Sequence, residues 1–402
     1  MKHPFVCVLD NCEHEIDRYG KYEWLAGFSS KRNFNYRNWS QIQALKGSWL
    51  MGILPYELKD QIQKHTHTSQ PSFIQFPSLP LFQPELVLAI PRGSHQVMVL
   101  EGAESPLKHE LEGWLKEAKA KEAPQKKIWN FQPNFSRRRY IETIEQLREH
   151  IRQGDSYEIN LAQAFHAEGK LDRPDYWYHR LIELSPVPFA AFVKYEEQYL
   201  LCASPERFLQ LDGQTLRTQP IKGTAPRSSN KEEDEAHFQY LSGSKKEQAE
   251  NVMIVDLSRN DLYRSSIPHT VEVPHLFEIQ AFPQVYQMVS TVEGQKQEGL
   301  DWTDIMSNTF PPGSMTGAPK LRTMQLIDQY EPESRGVYAG SVGYIEPGGN
   351  FDWNVIIRSL VYDDARERLS YHVGGAITYD SDPVKEYEET LLKATALRRI
   401  FG

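Results

Sequence analysis

Lys222 stands in Arg217-Thr218-Gln219-Pro220-Ile221-Lys222-Gly223-Thr224-Ala225-Pro226-Arg227, where two prolines stiffen the backbone and Gly223 lets it turn closely past the lysine. A lysine fixed in a partly desolvated place near other cations or a metal spends time neutral and can act as a nucleophile. The same residues also read as a surface turn with a solvated lysine. Arg358 lies in the apolar run Val355-Ile356-Ile357-Arg358-Ser359-Leu360-Val361. An arginine there offsets its desolvation by forking onto a carboxylate, whether of a ligand or of a structural Asp. Glu250 falls on a largely apolar helical segment and needs a partner, for which a metal ion suffices. Glu386, Glu389 and Lys393 share one face of a helix, as a magnesium site with Glu250 would require, or as surface ion pairs would.

The elements that must position these groups are partly legible. Phe5–Leu9, Glu85–Ile90, Phe189–Val193 and Tyr199–Ala203 read as strands, as do Ser156–Ala162, Val337–Ile345 and Val355–Val361, while Trp49–Glu57 reads as a strand and turn. The spacing of Leu107, Leu111, Trp114 and Leu115 predicts a helix from Pro106 to about Ala123, and Pro124-Gln125-Lys126-Lys127 then reads as a linker. Ser136 should cap a helix carrying Tyr140, Ile144, Leu147 and Ile151, and Asp382-Pro383 should start the last one. Ser244-x-x-Glu247 predicts a helix running through Glu250 to Leu257, whose Val252, Met253, Ile254, Val255 and Leu257 suggest burial on more than one side. Another helix, through Met324 and Ile327, should end near Glu331-Pro332. These elements divide into an N-terminal scaffold, residues 1–123, and a catalytic region, residues 136–402, expected to form one intertwined body.

Charged residues make up 25% of the 402 and the formal net charge is −9, which argues against nucleic acid or an anionic membrane as the main partner. Three cysteines, Cys7, Cys12 and Cys202, are too few for a disulfide framework and fit a reducing cytoplasm. Neither a signal peptide nor a membrane span is expected.

Five further stretches accompany the lysine motif: Ser204-Pro205-Glu206-Arg207-Phe208, Glu250-Asn251-Val252-Met253-Ile254-Val255-Asp256-Leu257-Ser258-Arg259-Asn260-Asp261, Pro312-Gly313-Ser314-Met315-Thr316-Gly317-Ala318-Pro319-Lys320, Asn354-Val355-Ile356-Ile357-Arg358, and Gly374-Gly375-Ala376 with Glu386-Tyr387-Glu388-Glu389. From about Ser136 to the C-terminus the chain resembles the chorismate-utilising enzymes, which include anthranilate synthase component I, aminodeoxychorismate synthase component I and the isochorismate and salicylate synthases. The resemblance implies an α+β fold of two packed antiparallel-rich sheets with helices outside. It implies chorismate and ammonia as substrates, a separate glutamine amidotransferase as partner, and Mg2+ held by Glu250, Glu386 and Glu389. Lys222 would be the nucleophile and Glu206, sixteen residues before it, the general acid. Tyr338 and Arg358 would hold the enolpyruvyl carboxylate. Gly223, Thr224, Gly374, Gly375, Ala376 and Lys393 would complete the substrate site.

Within the family, Pro-Ile-Lys-Gly-Thr resembles the aminodeoxychorismate-forming branch, whereas alanine is usual after Pro-Ile in anthranilate synthases. Members that add water carry a lysine base where Glu158 aligns, so a carboxylate there speaks against that branch, although Glu158 could also be an edge residue facing solvent. Gln287 stands where many members have histidine. Glutamine cannot transfer a proton at neutral pH, which favours a product that keeps its enolpyruvyl group. Anthranilate synthesis is the runner-up, isochorismate or salicylate synthesis the third reading, and a non-catalytic binding relative the alternative from another class. Arg259 could meet substrate or close a surface ion pair, and Glu206-Arg207 could be an exposed pair. Lys320 reads as structural or interfacial, since Pro319 spoils any phosphate loop. Many relatives bind tryptophan beside the N-terminal region, but Tyr36, Trp39 and Trp49 read better as core.

Overall fold

The structure, a computed structural model, describes residues 3–31, 34, 36–117, 123–125 and 127–401. Among them, strands build an eleven-stranded and a nine-stranded sheet in which every pairing is antiparallel. Strand Phe5–Asp10 shows why two layers form. Phe5 and Cys7 enter one buried cluster while Val6 and Val8 enter another, so the period-two alternation is apolar on both faces. The outer face is covered by helix Pro106–Glu117 through Leu107 and Leu111. The side chains of Trp114 and Leu115 and residues 118–122 and 126 lie outside the described set. Residues 5–101 feed both sheets: Phe5–Asp10 pairs with Phe189–Tyr195 in the larger, and Leu50–Leu54 with Ser341–Ile345 in the smaller.

The chain crosses between the sheets at two adjacent places. Strand Gln198–Ser204 belongs to the larger sheet and Arg207–Asp212 to the smaller; Phe351–Asn354 and Ser359–Asp363 make the return crossing. The crossings are hydrogen-bonded side by side, with the Val355 N–H donating to the Glu206 carbonyl (3.0 Å) and the Ala203 N–H to the Arg358 carbonyl (3.2 Å). The single strand expected over Val355–Val361 is therefore not formed. Arg358 takes φ 52° at the crossing, a conformation no ladder supports. Likewise only Ser341–Ile345 of the expected Val337–Ile345 strand pairs, because Val337–Gly340 turn through Ala339 at φ 61°. Strand Glu158–Glu168 starts two residues later than expected and runs further.

Helix starts follow the sequence closely. Ser136 accepts from the Arg139 amide ahead of Arg137–Arg152, Ser244 from the Glu247 amide ahead of Lys245–Tyr263, and Asp382 from Val384 and Lys385 ahead of Pro383–Arg398. Helix Lys320–Tyr330 ends where Glu331-Pro332 predicts. Burial of Lys245–Tyr263 differs from expectation. Asn251, Ile254, Val255, Ser258, Asp261 and Leu262 form one buried face, while Val252 is 41% exposed. Trp39 and Trp49 are core residues, Trp39 meeting Trp302 edge-on.

Candidate active site

Lys222 lies in a bulge. Strand Ile221–Pro226 pairs with Val285–Gln295, but the register shifts between Ile221 and Thr224, which re-aims the side chain between them. Asn251, on helix Lys245–Tyr263, fixes the bulge: its Nδ2 donates to the carbonyls of Lys222 and Met288 (both 3.3 Å) and its Oδ1 accepts from Ser290 Oγ (2.6 Å). Lys222 Nζ reaches across to the larger sheet and donates to Glu158 Oε1 at 2.7 Å. Glu158 is 1% exposed, so it faces this lysine and not solvent. Burial pushes the ammonium down, but the charge and hydrogen bond of Glu158, then Glu250 and Glu206, outweigh it and hold Lys222 above its ordinary value. At rest Lys222 is therefore an ammonium. The Glu158 Oε2 has no hydrogen-bond partner among the described residues.

Gly223 has φ 97°, and a Cβ there would stand 3.1 Å from Glu247 Oε2 and 3.3 Å from Leu241 Cδ1. Gly223→Ala should strain the backbone by about 1–2 kcal/mol and tilt Lys222 off its line. The expected result is a fall in turnover of about 10- to 100-fold with native circular dichroism, measured by steady-state kinetics; unchanged turnover would show that the bulge does not aim the lysine.

The two crossings supply an acid and a cation. Glu206 and Arg207 point to opposite sides, as strand neighbours do. Arg207 is fully buried between Asp17 and Asp352, with Nη1–Oδ1 and Nη2–Oδ2 distances to Asp17 of 2.8 and 2.9 Å, so it forms no pair with Glu206. Glu206 is buried too, and its Oε1 accepts from Ser314 Oγ at 2.6 Å. Burial pushes its carboxyl up to about 7, against the opposing pull of Ser314, the Ile221 amide, Lys222 and Arg358. A carboxylic acid that keeps its proton near neutrality can give it to a leaving group. Arg358 is half-buried with no hydrogen-bond or ion-pair partner for its guanidinium among the described residues; Glu206 is the charge acting on it, and burial holds it below the ordinary range.

Tyr338 is stacked on His372 at 5.0 Å and 13°, and its neighbour Ala339 donates its amide to the Ile356 carbonyl (2.9 Å) beside the Arg358 crossing. Burial lowers the His372 ring to about 3, so it is a neutral platform. The Tyr338 hydroxyl faces strand Arg368–Ile377: a Cβ on Gly374 would stand 2.9 Å from it and 2.7 Å from Asn160 Oδ1, and one on Gly375 3.3 Å from Glu386 Oε2. Small residues here keep backbone open to a ligand. Ala376 pairs with Asn160 on the strand of Glu158. Thr224 is exposed opposite Gln287, which is buried with its Oε1 unpartnered among the described residues.

Residues 3–399 match the family described as chorismate binding enzyme. The chain belongs to that family. Over 270 residues it is 40% identical to aminodeoxychorismate synthase component 1 of Escherichia coli (strain K12), a match covering 67% of this chain and 58% of that protein. It is 38% identical over 270 residues to anthranilate synthase component 1 of Aquifex aeolicus (strain VF5), covering 67% of this chain and 54% of the relative. Its matched part thus spans less than two thirds of these relatives. The crystal structure of anthranilate synthase component I from Streptococcus pneumoniae TIGR4 superposes with a TM-score of 0.79 at 26% identity, covering 99% of this chain and 90% of that one.

The family's metal can be tested against the residues present. Among the described residues no three His, Cys, Asp or Glu side chains converge as a ready-made metal group. Glu389 is exposed and turned to Lys393 (2.8 Å), whose Nζ also donates to the Gly374 carbonyl at 2.9 Å. Glu250 and Glu386 are half-buried, burial raises both above the usual carboxylate range, and Lys246 lies near each. Magnesium takes one or two protein carboxylates and completes its shell with water and substrate oxygens, so this pair fits it.

Arg259 closes a surface ion pair with Asp256 (2.9 Å), and Lys320 ties Asp261 to the carbonyls of Thr309 and Pro311, so it is structural. Asn251 and Ser314 went unassigned in the sequence although both lie inside quoted motifs. Only long-range contacts, to Lys222 and to Glu206, reveal them. A separate small pocket, lined by Leu9, Asp17, Lys21, Tyr22, Phe189 and Tyr344 among others, opens between the N-terminal strands and the rest; Tyr36, Trp39 and Trp49 do not line it.

Proposed function

We propose that this protein converts chorismate and ammonia into 4-amino-4-deoxychorismate, the reaction to which its aminodeoxychorismate synthase relatives owe their name. The observation that carries this reading is the buried Lys222–Glu158 pair at 2.7 Å beside the protonatable Glu206. Lys222 passes its proton to Glu158 and attacks ring carbon 2. Both ring double bonds shift, from C1=C2 to C1=C6 and from C5=C6 to C4=C5, the bond from carbon 4 to its hydroxyl breaks, and Glu206 gives the proton with which it leaves as water. Ammonia then attacks carbon 4, both double bonds return to their original places, and Lys222 leaves carbon 2 and recovers its proton from Glu158. The proton shed by the new amine restores Glu206. Two displacements replace one difficult substitution.

Arg358 and Tyr338 take the enolpyruvyl carboxylate, and the Gly374–Ala376 backbone lies along the ligand. Magnesium on Glu250 and Glu386 would neutralise a substrate carboxylate when bound. The ammonia comes from a glutamine amidotransferase partner, a reading supported by the name "component 1" of relatives. The three free cysteines support a reducing, cytoplasmic setting, and among the described residues no helix is long and apolar enough to cross a membrane. Anthranilate formation is the second reading, favoured by the 38% identity to an anthranilate synthase component and opposed by Lys222 and Gln287.

Incubation with chorismate, magnesium and ammonium, with product identification by chromatography and mass, tests the choice. Aminodeoxychorismate is expected; anthranilate or isochorismate would overturn the proposal. A pH profile adds a second check. Glu206 must be protonated to act, and its carboxyl titrates at about 7, so activity is lost as pH rises through that value. With free ammonia held constant, kcat/KM should fall above pH of about 7 with unit slope, and Glu206→Gln should remove that limb.

A further inference from the structure

One loop touches the carboxyl of Glu206 and pairs with the backbone of Glu158. Residues 312–319 carry the turn Gly313–Met315, closed by the Met315 amide on the Pro312 carbonyl (3.1 Å) and the Thr316 amide on the Gly313 carbonyl (3.0 Å). Further bonds fix it from outside. Arg335 Nη1 donates to the Met315 carbonyl at 2.7 Å, the Asn160 amide to the Thr316 carbonyl at 2.8 Å, and Lys320 binds the Thr309 and Pro311 carbonyls. Gly317 and Ala318 then pair with Ile159 and Glu158, and a Cβ on Gly317 would stand 2.0 Å from the Glu158 carbonyl. A rigid segment registered against the backbone of Glu158 thus presents the Ser314 hydroxyl to Glu206. Ser314 Oγ has no other hydrogen-bond partner among the described residues, so its proton goes to Glu206 Oε1.

Resting on the functional reading above, we propose that Ser314 is the positioning residue of the general acid: by donating to Oε1 it confines the acid's own proton to Oε2 and stabilises the carboxylate left after that proton is delivered. The atoms balance within the first displacement. The Oε2 proton goes to the departing hydroxyl oxygen, the bond from carbon 4 to oxygen breaks, water leaves, and Glu206 remains an anion accepting from Ser314. The other charged groups around Glu206 are Lys222 on its strand, Arg358 at the neighbouring crossing, and Asp261 of helix Lys245–Tyr263, which lines the same small pocket and is tied to Lys320. Lys222 and Arg358 act on the charge of Glu206 through space, and Ser314 is the side chain that bonds its carboxyl.

Ser314→Ala and Ser314→Thr test this. Because the serine bond favours the ionised form, its loss raises the carboxyl further. The alanine variant should move the alkaline limb of kcat/KM up by about one pH unit and lower kcat by about 10- to 100-fold, with KM for chorismate within about threefold. Threonine keeps the hydroxyl and should restore both. Infrared difference titration of the Glu206 carboxyl, wild type against Ser314→Ala, reads the same shift without turnover. A shift with no amination in the wild type would overturn the functional reading and leave the serine contact standing. Amination with neither limb nor carboxyl band moved, or a kcat loss that threonine fails to restore, would overturn the role of Ser314.

Discussion

Replacing Lys222 with alanine is expected to lower kcat for aminodeoxychorismate formation by roughly four orders of magnitude or more, the scale on which loss of a covalent nucleophile acts. Chorismate affinity should change little, because Arg358 and Tyr338, the residues proposed to take the enolpyruvyl carboxylate, remain. The substitution also strips a buried carboxylate of its cation, and an unpaired buried charge costs about 3–5 kcal/mol. Glu158 is 1% exposed and its Oε2 has no hydrogen-bond partner among the described residues even in the intact pair, so the single variant should melt at a lower temperature. A Lys222→Ala, Glu158→Ala double variant removes that charge and should regain stability without regaining turnover. Kinetics and thermal denaturation of the two variants separate chemistry from folding: activity returning with stability would show that Lys222 serves the fold alone.

Arg358→Ala should weaken chorismate binding by about 2–5 kcal/mol, the usual loss for truncating one partner of a desolvated charge pair. At 1.4 kcal/mol per tenfold that is about 30- to several-thousand-fold in the dissociation constant. The structure adds a condition that separates this from a structural role. Among the described residues the guanidinium has no hydrogen-bond or ion-pair partner, and burial opposes its charge, so its removal orphans none of them. Melting temperature should hold or rise while affinity collapses. Arg358→Lys should recover only part of the binding, since an ammonium cannot fork onto a carboxylate. Calorimetric titration with chorismate beside thermal denaturation checks both; unchanged affinity, or a destabilised protein, would assign Arg358 to the scaffold.

What the sequence disclosed and what it withheld divide by the range of the interaction. Caps at Ser136, Ser244 and Asp382 were legible because three residues suffice to make them. The motifs gave the family, and the resemblance gave the fold class. The strand Val355–Val361 was misread because an apolar run leaving one sheet for another has the same composition as one staying in place. Only the crossing explains why Arg358 sits at φ 52°. Glu158 stayed open for a related reason: alternation says that a residue faces one side, and the partner strand 64 positions away decides that the side is Lys222. The apolar count of helix Lys245–Tyr263 overstated its burial, since Val252 points to solvent while the polar Asn251 and Asp261 point inward to Lys222 and Lys320.

The most direct test of the lysine mechanism is the intact mass of the protein, acid-quenched within milliseconds of mixing with chorismate and magnesium in the absence of ammonia. The expected result is a species heavier by chorismate less one water, which peptide mapping places on Lys222 and which disappears when ammonia is added before the quench. Amination proceeding with no such adduct, or an adduct mapped to another residue, would contradict Lys222 as the nucleophile.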